Sequence, residues 1–271
     1  MPLPPAELGE LEAMRSFFRA APDGLGARST EIGGALCISI ASAPRSAMFN
    51  RVLGLGLERE TTEEEVDELV RFFGGQGVEF AIALHPDAQP RELPRRLAAR
   101  GLVEGYAWAK FSRGMVAPAD VETELRVERV DSDRGAEFAS VVTRGYGSPA
   151  FMEPWIAQLP RLGGWHCFVA YAGDEPAATG AVFTTGEVGW FGFAATVPEH
   201  RRKGAQNAIL AARVRAAAAA GCKVLVTETG ALREGRSSNS YRNIVRTGFE
   251  PIYVRANYLS SSDADTSGTR A

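Results

Sequence analysis

Hydrophobic positions along the chain follow a helical period in some segments and alternate as in strands in others. Helical spacing, with apolar side chains three and four residues apart, predicts helices near residues 7–19, 63–73, 93–100, 132–143, 151–159, 204–220 and 237–246. Compact apolar or alternating runs predict strands near residues 35–40, 52–57, 78–84, 106–111, 125–130, 167–171, 177–183, 187–197, 222–227 and 251–258. Residues 24–34 are rich in glycine and polar groups and predict a loop. This alternation indicates an α/β (α+β) fold with a mixed central sheet flanked by helices.

A short pattern occurs twice. Residues 95–106 and 242–253 both contain the end of a basic helix, a glycine, an apolar residue and a tyrosine five positions after the glycine. The two glycines, Gly101 and Gly248, are 248 − 101 = 147 residues apart. The repeat predicts two tandem copies of one fold, although chance similarity is an alternative for so short a match.

The repeat and the composition together predict the domain organisation. We expect a first domain at residues 1–115, a linker at 116–124 and a second domain at 125–259. Residues 260–271 are rich in serine and poor in apolar side chains, so a disordered tail is expected there.

Charge and hydropathy exclude several classes of function. The formal net charge of −3 argues against broad nucleic-acid binding, which usually requires a basic face. No apolar run approaches the ~20 residues of a membrane-spanning helix, and no secretory signal is recognisable at the start of the sequence. We therefore expect a cytoplasmic protein without a membrane or nucleic-acid partner, either monomeric or homodimeric.

Cysteines and histidines are few and widely separated. An odd number of cysteines in apolar segments indicates buried thiols rather than disulfides or metal ligands. No metal site is expected. The residues concerned are Cys37, Cys167, Cys222, His85, His166 and His200.

One segment of the second half has the chemistry of a phosphate-binding loop. An apolar strand is followed by a turn at Pro198, a basic loop at residues 201–204 and a helix rich in alanine. Backbone amides at the start of a helix, together with the helix dipole, attract anions, and Arg201, Arg202 and Lys203 add full positive charges. Gly204 allows a phosphate to approach the backbone closely. We interpret the loop as a diphosphate site.

This loop resembles the acetyl-CoA signature of the GNAT N-acetyltransferase superfamily. That signature is Arg or Gln, two residues, Gly, one residue and then Gly or Ala, directly after a strand and at the start of a helix. Arg201 and Gly204 match it, whereas Gln206 departs from the small last position. The predicted order of elements over residues 125–258 is also similar to that of the family. The resemblance implies a GNAT fold and acetyl-CoA (CoA) as the cofactor.

A second motif supports the resemblance. Residues 240–243, Ser-Tyr-Arg-Asn, and the later Gly248-Phe249 pair are similar to a pattern that many family members have in their last helix. Ser237 occupies a position where asparagine is common. The family often places a tyrosine acid four residues before the glycine, and that position is Ile244 here.

The resemblance implies roles for individual residues. Amides between Arg202 and Asn207 are expected to bind the diphosphate, and the backbone of Ala195 and Val197 is expected to pair with pantetheine. An N–H near Ala195 is expected to polarise the thioester carbonyl. Tyr241 is the candidate acid or else a packed aromatic residue, and Glu228 is the candidate base or else a solvated strand end. The complete set of expected cofactor-binding residues is Ala195, Thr196, Val197, Arg201, Arg202, Lys203, Gly204, Ala205, Gln206, Asn207, Ser240 and Asn243.

The first half has no equivalent loop. Its Gly54-Leu55-Gly56 segment is followed by five glutamates within residues 58–65, and their charge would repel a diphosphate. We therefore expect a degenerate first copy beside a catalytic second copy.

The function that follows is acetyl transfer from acetyl-CoA to a primary amine of a small molecule or peptide. A non-catalytic CoA-binding or sensing module, and an acyltransferase with another donor, are the alternatives. Aromatic residues on the expected acceptor side suggest an acceptor with an apolar part, or belong to the core: Tyr146, Phe151, Trp155 and Trp165.

Overall fold

A computed structural model describes residues 2–118, 121, 123–232 and 238–260. Within these, the chain forms two compact units, the first comprising 2–110, 229–231 and 253–260, and the second comprising the remainder. The expected domain limits, with a linker at 116–124, stay a prediction. The expected tail from 261 onward lies outside the described residues.

Seven helices and eleven strands are formed by the described residues. The helices are α1 (Pro5–Arg19), α2 (Glu63–Gly74), α3 (Leu93–Ala98), α4 (Gly135–Tyr146), α5 (Glu153–Ile156), α6 (Ala205–Ala219) and α7 (Asn239–Arg246). The strands are β1 (Ala27–Ile32), β2 (Ala35–Ile40), β3 (Arg51–Leu53), β4 (Ala81–Leu84), β5 (Val103–Gly114), β6 (Arg126–Val130), β7 (Trp165–Ala172), β8 (Glu175–Thr185), β9 (Val188–Thr196), β10 (Val224–Gly230) and β11 (Glu250–Leu259).

The predicted helices and strands are present, with their ends shifted by a few residues, but the loop predicted at residues 24–34 is wrong. β1 occupies most of that segment and pairs antiparallel with β2. Only Ile32 of this strand is buried, because β1 has a single neighbour at the edge of the sheet. An edge strand of polar side chains lacks the apolar alternation from which strands are predicted.

The first unit is built on strands in the order β1-β2-β3-β4-β11-β5. β3 and β4 are parallel, and β11 pairs antiparallel with β4 through Ala256 and Leu84. The last strand of the chain therefore completes the sheet of the first unit. The core under this sheet includes Val52, Leu69 and Phe73, none of which is exposed to solvent.

The first unit also contains a buried ionic cluster, which consists of Glu7, Glu10, Arg51, Lys110 and Arg255. One carboxylate oxygen of Glu10 lies 2.8 Å from Lys110 Nζ and 2.7 Å from Arg255 Nη1, and the other lies 2.9 Å from Arg51 Nη2. Glu7 Oε2 lies 2.8 Å from Arg255 Nη1. These contacts connect α1 to strands β3, β5 and β11.

The second unit contains strands in the order β10-β9-β8-β7-β6. β6 to β9 are antiparallel neighbours, including the predicted β7–β8 hairpin, whereas β9 and β10 are parallel. Helices α4 and α6 both pack against β8 and β9. The predicted class, a mixed sheet flanked by helices, is confirmed.

The repeated sequence pattern has the same local structure in both places. α3 is followed by Gly101 (φ 80°) and β5, and α7 is followed by Gly248 (φ 84°) and β11. Both glycines adopt the left-handed conformation that ends a helix. The recurrence supports the prediction of a tandem fold.

Candidate active site

The candidate site begins at an irregularity in β9. Thr179 of β8 pairs with Ala195, but Ala181 pairs with Gly192, so that Phe193 and Ala194 stand opposite the single residue between Thr179 and Ala181. The extra residue makes a β-bulge, and Phe193 has the positive φ of 51°. Bulges change the direction of a strand and are frequent beside active sites.

The bulge coincides with the end of the pairing between β9 and β10. Their parallel register runs from Val188 opposite Val224 to Phe191 opposite Thr227. Beyond Phe191, the described residues of β9 are not in register with β10. The backbone of the last part of β9 therefore has one edge against β8 and one edge directed away from it.

Alternation along the strand decides which backbone groups point to each edge. The Val197 amide donates to the Ala177 carbonyl at 3.0 Å, and Ala195 is the next residue of β9 in register on this side, opposite Thr179. Backbone groups of the alternate residues, Ala194 and Thr196, therefore face the other edge. This differs from the sequence expectation, in which Ala195 and Val197 offered their backbone to pantetheine.

After β9 the chain forms the basic loop that the sequence singles out. A 3-10 turn at Pro198–His200 precedes Arg201, which is extended (φ −66°, ψ 152°). Arg202 and Gly204 then adopt left-handed conformations, with φ values of 65° and 78°. A left-handed non-glycine residue is uncommon and marks a locally constrained turn. The turns bring the chain directly into α6.

The loop leaves backbone amides available at the start of α6. Asn207 and Ala208 donate back to the Gly204 carbonyl at 3.0 and 3.3 Å. Among the described residues, the amides of 202–206 make no backbone hydrogen bond outside the helix. A helix leaves its first amides without intrahelical acceptors, and their dipoles favour an anion.

Gly204 borders open space. A Cβ added there would have the Thr123 Oγ1 as its nearest neighbour, at 4.0 Å. The absence of a side chain at this residue therefore leaves room directly above the loop, as a bound phosphate requires.

The cationic side chains of the loop differ in the contacts that hold them in place. Arg201 is held by carbonyls, with Nε 3.3 Å from Thr196 O and Nη2 3.3 Å from Gly145 O. Lys203 Nζ lies 3.2 Å from His200 Nδ1. Arg202 is exposed and has no ion pair among the described residues. The loop therefore presents a positive surface to solvent.

Gln206, which departs from the family signature, has an anchoring role. Its side-chain Nε2 donates to Ala195 O at 2.8 Å, to Thr196 Oγ1 at 3.0 Å and to Thr179 O at 3.3 Å. These bonds fix the start of α6 to β8 and β9. The side chain is directed to the sheet, so its length does not close the space above Gly204.

The end of α4 lies against the same part of β9. A Cβ at Gly145 would be 2.7 Å from Ala195 Cβ and 3.1 Å from Thr196 N, so a larger residue does not fit there. The neighbouring Tyr146 has 36% of its surface exposed, but its phenol oxygen is desolvated and accepts a hydrogen bond from the Ala194 N–H. Burial raises the pKa of Tyr146 to about 12, partly opposed by the nearby Arg213 cation.

The residues proposed as acid and base lie on other elements. Tyr241 is in the first turn of α7, where the Ser238 hydroxyl accepts from its amide, and its ring meets Phe111 edge-on with centroids 4.9 Å apart. Glu228 is half-buried in β10. Both side chains therefore lie on elements other than β9.

Ser240 and Asn243, expected beside the cofactor, both lie on α7 and are half-buried. The Asn243 carbonyl accepts from the amide and hydroxyl of Thr247, 3.2 and 3.0 Å away, and so helps to close the helix. Ser237, earlier in the same motif, lies outside the described residues. The contribution of these residues to cofactor binding stays a prediction.

A comparison with protein families matches most of the second unit. Residues 117–233 match the family model of the acetyltransferase (GNAT) domain. The matched segment contains the bulge, the basic loop and the start of α6. A search of curated proteins found no match.

Solved structures share the fold over almost the whole chain. A GCN5-related N-acetyltransferase from Kribbella flavida is 15% identical with a TM-score of 0.64, and 94% of each chain is covered. One from Sphaerobacter thermophilus is 13% identical with a TM-score of 0.61, covering 98% of this chain and 96% of that one. A tandem GNAT protein from the clavulanic acid biosynthesis pathway is 14% identical with a TM-score of 0.59, covering 86% and 80%. At these identities the likeness concerns the fold alone, including its tandem form.

The described residues were also searched for two other features. They include no helix that is long and apolar enough to span a membrane. They include no group of three or more side chains placed to hold a metal ion.

Proposed function

We propose that the chain, whose residues 117–233 match the family model of the acetyltransferase (GNAT) domain, transfers an acetyl group from acetyl-CoA to a primary amine of a small molecule or peptide. The observation that carries the proposal is the loop at residues 201–204, with left-handed Arg202 and Gly204 before the first turn of α6. The three buried thiols, Cys37, Cys167 and Cys222, support a cytoplasmic setting.

The loop fits the diphosphate of CoA in shape and charge. Its amides from Arg202 to Gln206 make no backbone hydrogen bond outside the helix among the described residues, and they lie at a helix N-terminus, where an anion is stabilised. A Cβ at Gly204 would enter the open space that a phosphate needs. Arg202 supplies an exposed positive charge beside it.

The edge of β9 that faces away from β8 fits the remainder of the acyl donor. Backbone groups of Thr196 would pair with the amides of pantetheine, in the manner of an added strand, once the Arg201 side chain leaves the Thr196 carbonyl. The Ala194 N–H donates to the Tyr146 phenol, and it would donate to the carbonyl oxygen of the thioester once that oxygen displaces the phenol. A fixed amide that donates to the oxygen on which negative charge develops lowers the barrier to acyl transfer.

Acetyl-CoA supplies an activated thioester, and the chain supplies placement, carbonyl polarisation and proton transfers. The new carbon–nitrogen bond forms as the carbon–sulfur bond breaks, so the amine must lose a proton and the thiolate must gain one. We propose that Tyr241 supplies the proton to the thiolate. Glu228, directly or through water, accepts the amine proton. Holding both reactants at one site removes much of the entropic cost of the reaction.

The test combines turnover with one matched pair of substitutions. Purified protein is incubated with acetyl-CoA and a panel of small-molecule and peptide amines, and release of free thiol is measured. Gly204→Glu places a carboxylate over the loop, whereas Gly221→Glu makes the same change at the far end of α6. Both glycines are left-handed, with φ values of 78° and 83°, and neither has a neighbour closer than 4.0 Å to an added Cβ.

We expect Gly204→Glu to abolish CoA binding measured by calorimetry, and Gly221→Glu to retain it. Because backbone strain is the same in both variants, a difference between them reports on the loop itself. Equal affinity for CoA in the two variants would show that the loop assignment is wrong. Binding without turnover of any amine would favour a CoA-sensing module, and turnover of a different acyl thioester would favour another donor.

A further inference from the structure

A buried arginine lies directly behind the β9 bulge. Arg213 is on α6 and is only 3% exposed. Among the described residues no carboxylate forms an ion pair with it, and its Nε has no hydrogen-bond partner. Burial of an unpaired cation is expensive, so a buried arginine normally has a specific role. Burial lowers the pKa of Arg213 to about 10, which leaves the side chain positively charged at neutral pH.

The guanidinium contacts both strands where their ladder is interrupted. Arg213 Nη1 lies 3.3 Å from the carbonyl oxygen of Ala181 in β8 and 3.5 Å from that of Gly192 in β9. Its Cζ lies 4.7 Å from the centroid of the Phe191 ring, a cation–π distance. The cation therefore connects the two strands at the residues that flank the bulge.

Gly180 makes room for this arrangement. It is the residue that lies opposite the two bulge residues, Phe193 and Ala194. A Cβ at Gly180 would be 3.0 Å from both Cζ and Nε of Arg213 and 2.6 Å from Ile209 Cγ2. Any larger residue would displace the guanidinium from the sheet.

Other side chains form hydrogen bonds with the backbone of the bulge residues Phe193 and Ala194. The Phe193 carbonyl accepts from the Thr179 hydroxyl at 3.1 Å. On the opposite edge, the Ala194 N–H donates to the Tyr146 phenol. A bulge leaves one residue unpaired in the ladder; here the Thr179 hydroxyl binds the Phe193 carbonyl, and Arg213 contacts the flanking pair of Ala181 and Gly192. The direction of the Ala194 N–H depends on these bonds.

We propose that Arg213 is a positioning residue for acyl transfer: it holds the β9 bulge in the shape that directs the Ala194 N–H to the thioester carbonyl. The inference rests on the proposed function, because it gives the bulge amide a catalytic purpose. Arg213 acts through the backbone and does not touch the reacting atoms.

The planar shape of the guanidinium suits this role. Nη1 alone lies near both carbonyls, and the guanidinium also lies over the Phe191 ring, whereas a lysine ammonium is a compact point charge. Arg213→Lys therefore retains a cation and loses the planar group. Arg213→Met retains the length and removes both. Arg215→Met is the control, since Arg215 is exposed on the same helix.

The first measurement uses the protein without ligand. In protein labelled with 15N-phenylalanine, we expect Arg213→Met to shift the amide resonance of Phe193 and to speed its hydrogen exchange at least ~10-fold, because the bulge loses its support. Arg213→Lys should have a smaller effect, and Arg215→Met none. An unchanged Phe193 resonance in folded Arg213→Met protein would overturn the proposal, whether or not the protein transfers acetyl groups. If Arg213→Met fails to fold, the same comparison is made with Arg213→Lys.

The second measurement separates positioning from general stability. In Arg213→Met we expect the dissociation constant for CoA to stay within about threefold of the wild-type value, while kcat falls about 10- to 100-fold. Misplacement of a polarising group by about 1 Å has effects of this size on the rate. The infrared carbonyl stretch of bound 13C-acetyl-CoA should move toward its value in solution. A normal stretch and a normal kcat in a variant whose bulge has changed would also overturn the proposal. If wild type binds no CoA, the proposed function fails, and the first measurement alone decides whether Arg213 shapes the bulge.

Discussion

Replacement of Glu10 by glutamine tests how far the buried ionic cluster stabilises the first unit. The Glu10 side chain is 1% exposed, and its two oxygens contact three cations at 2.7 to 2.9 Å. Glutamine has nearly the same shape but no charge. The variant would leave the cations of Arg51, Lys110 and Arg255 with Glu7 as the remaining carboxylate of the cluster.

The size of the effect follows from burial. Removal of one partner from a buried ion pair typically costs about 3–5 kcal/mol, because the other charge stays in a desolvated position. We expect a loss of this size in the free energy of unfolding of the variant at pH 7. It would be a large part of the ~5–15 kcal/mol by which a domain is normally stable.

The pH dependence provides a second, independent signature. Burial by itself would raise the pKa of Glu10, but the cations of Arg255, Lys110 and Arg51 together hold it well below its usual value of 4.5. A carboxylate whose pKa is lower in the folded state stabilises the protein above its unfolded pKa, and this contribution is lost as the pH falls. The gap between wild type and Glu10→Gln should therefore be complete at pH 7 and narrow below pH 4.5.

Glu12→Gln is the matched control for this experiment. Glu12 is on the same helix, and its pair with Arg15, at 3.1 Å, is partly exposed. An exposed pair contributes only about 0–1 kcal/mol. Urea unfolding followed by circular dichroism, at pH 7 and at steps down to acid pH, measures all three proteins. If Glu10→Gln is no less stable than Glu12→Gln, or if its deficit does not depend on pH, the reasoning is refuted.

Two further predictions concern α2 and α7. Thr62 caps α2: its hydroxyl lies 3.3 Å from the Glu65 amide, and the Glu65 carboxylate accepts from the Thr62 amide at 2.9 Å. Thr62→Ala should lower the free energy of unfolding by about 1 kcal/mol. An unchanged melting temperature would contradict the capping role. Tyr241→Phe retains the ring contact with Phe111 but removes the hydroxyl. If Tyr241 donates the proton to the thiolate, kcat should fall about 100-fold or more with little change in KM. An unchanged kcat would show that Tyr241 is only a packing residue.

The basic loop could be predicted because its determinants are contiguous. Arg201, Arg202, Lys203 and Gly204 follow one another, and the helix that they precede is also local. A left-handed glycine, adjacent cations and a helix start require no knowledge of the rest of the fold. The same holds for the repeated helix ends at Gly101 and Gly248, whose left-handed conformation depends on neighbours in sequence.

Residues that shape the bulge could not be predicted in the same way. Gly145, Gly180 and Arg213 come together through pairing and packing of elements that are distant in sequence. In an α-helix, Arg213 and Arg215 are separated by about 200° of rotation, so one of them faces away from the other. Because α6 is rich in alanine, the sequence contains no strong apolar face to show which arginine is buried. The one available signal was the glycine within an apolar strand, since glycine at such a position often marks a bulge or a close approach.

The same pairing explains why the structure favours a different edge of β9 from the one that the sequence predicts for pantetheine. In a regular strand every second amide faces the neighbouring strand, here β8. The extra residue in the bulge determines whether the amides of Ala195 and Val197 or those of Ala194 and Thr196 do so. Without the register, Ala195 and Val197 were as plausible as Ala194 and Thr196. The Val197 amide bond to Ala177 resolves the choice, because an amide that already pairs with β8 does not face the opposite edge.

Buried charge has different partners in the two units, and the difference indicates different roles. In the first unit the buried cations meet carboxylates, so that α1 is fixed to strands β3, β5 and β11. In the second unit Arg213 meets backbone carbonyls at a break in the ladder. An apolar residue at 213 would remove the guanidinium contact from both carbonyls. In a regular ladder the contacts of Arg213 would not be required, whereas the bulge would lose its support without them. We therefore expect the bulge and the buried cation to depend on each other.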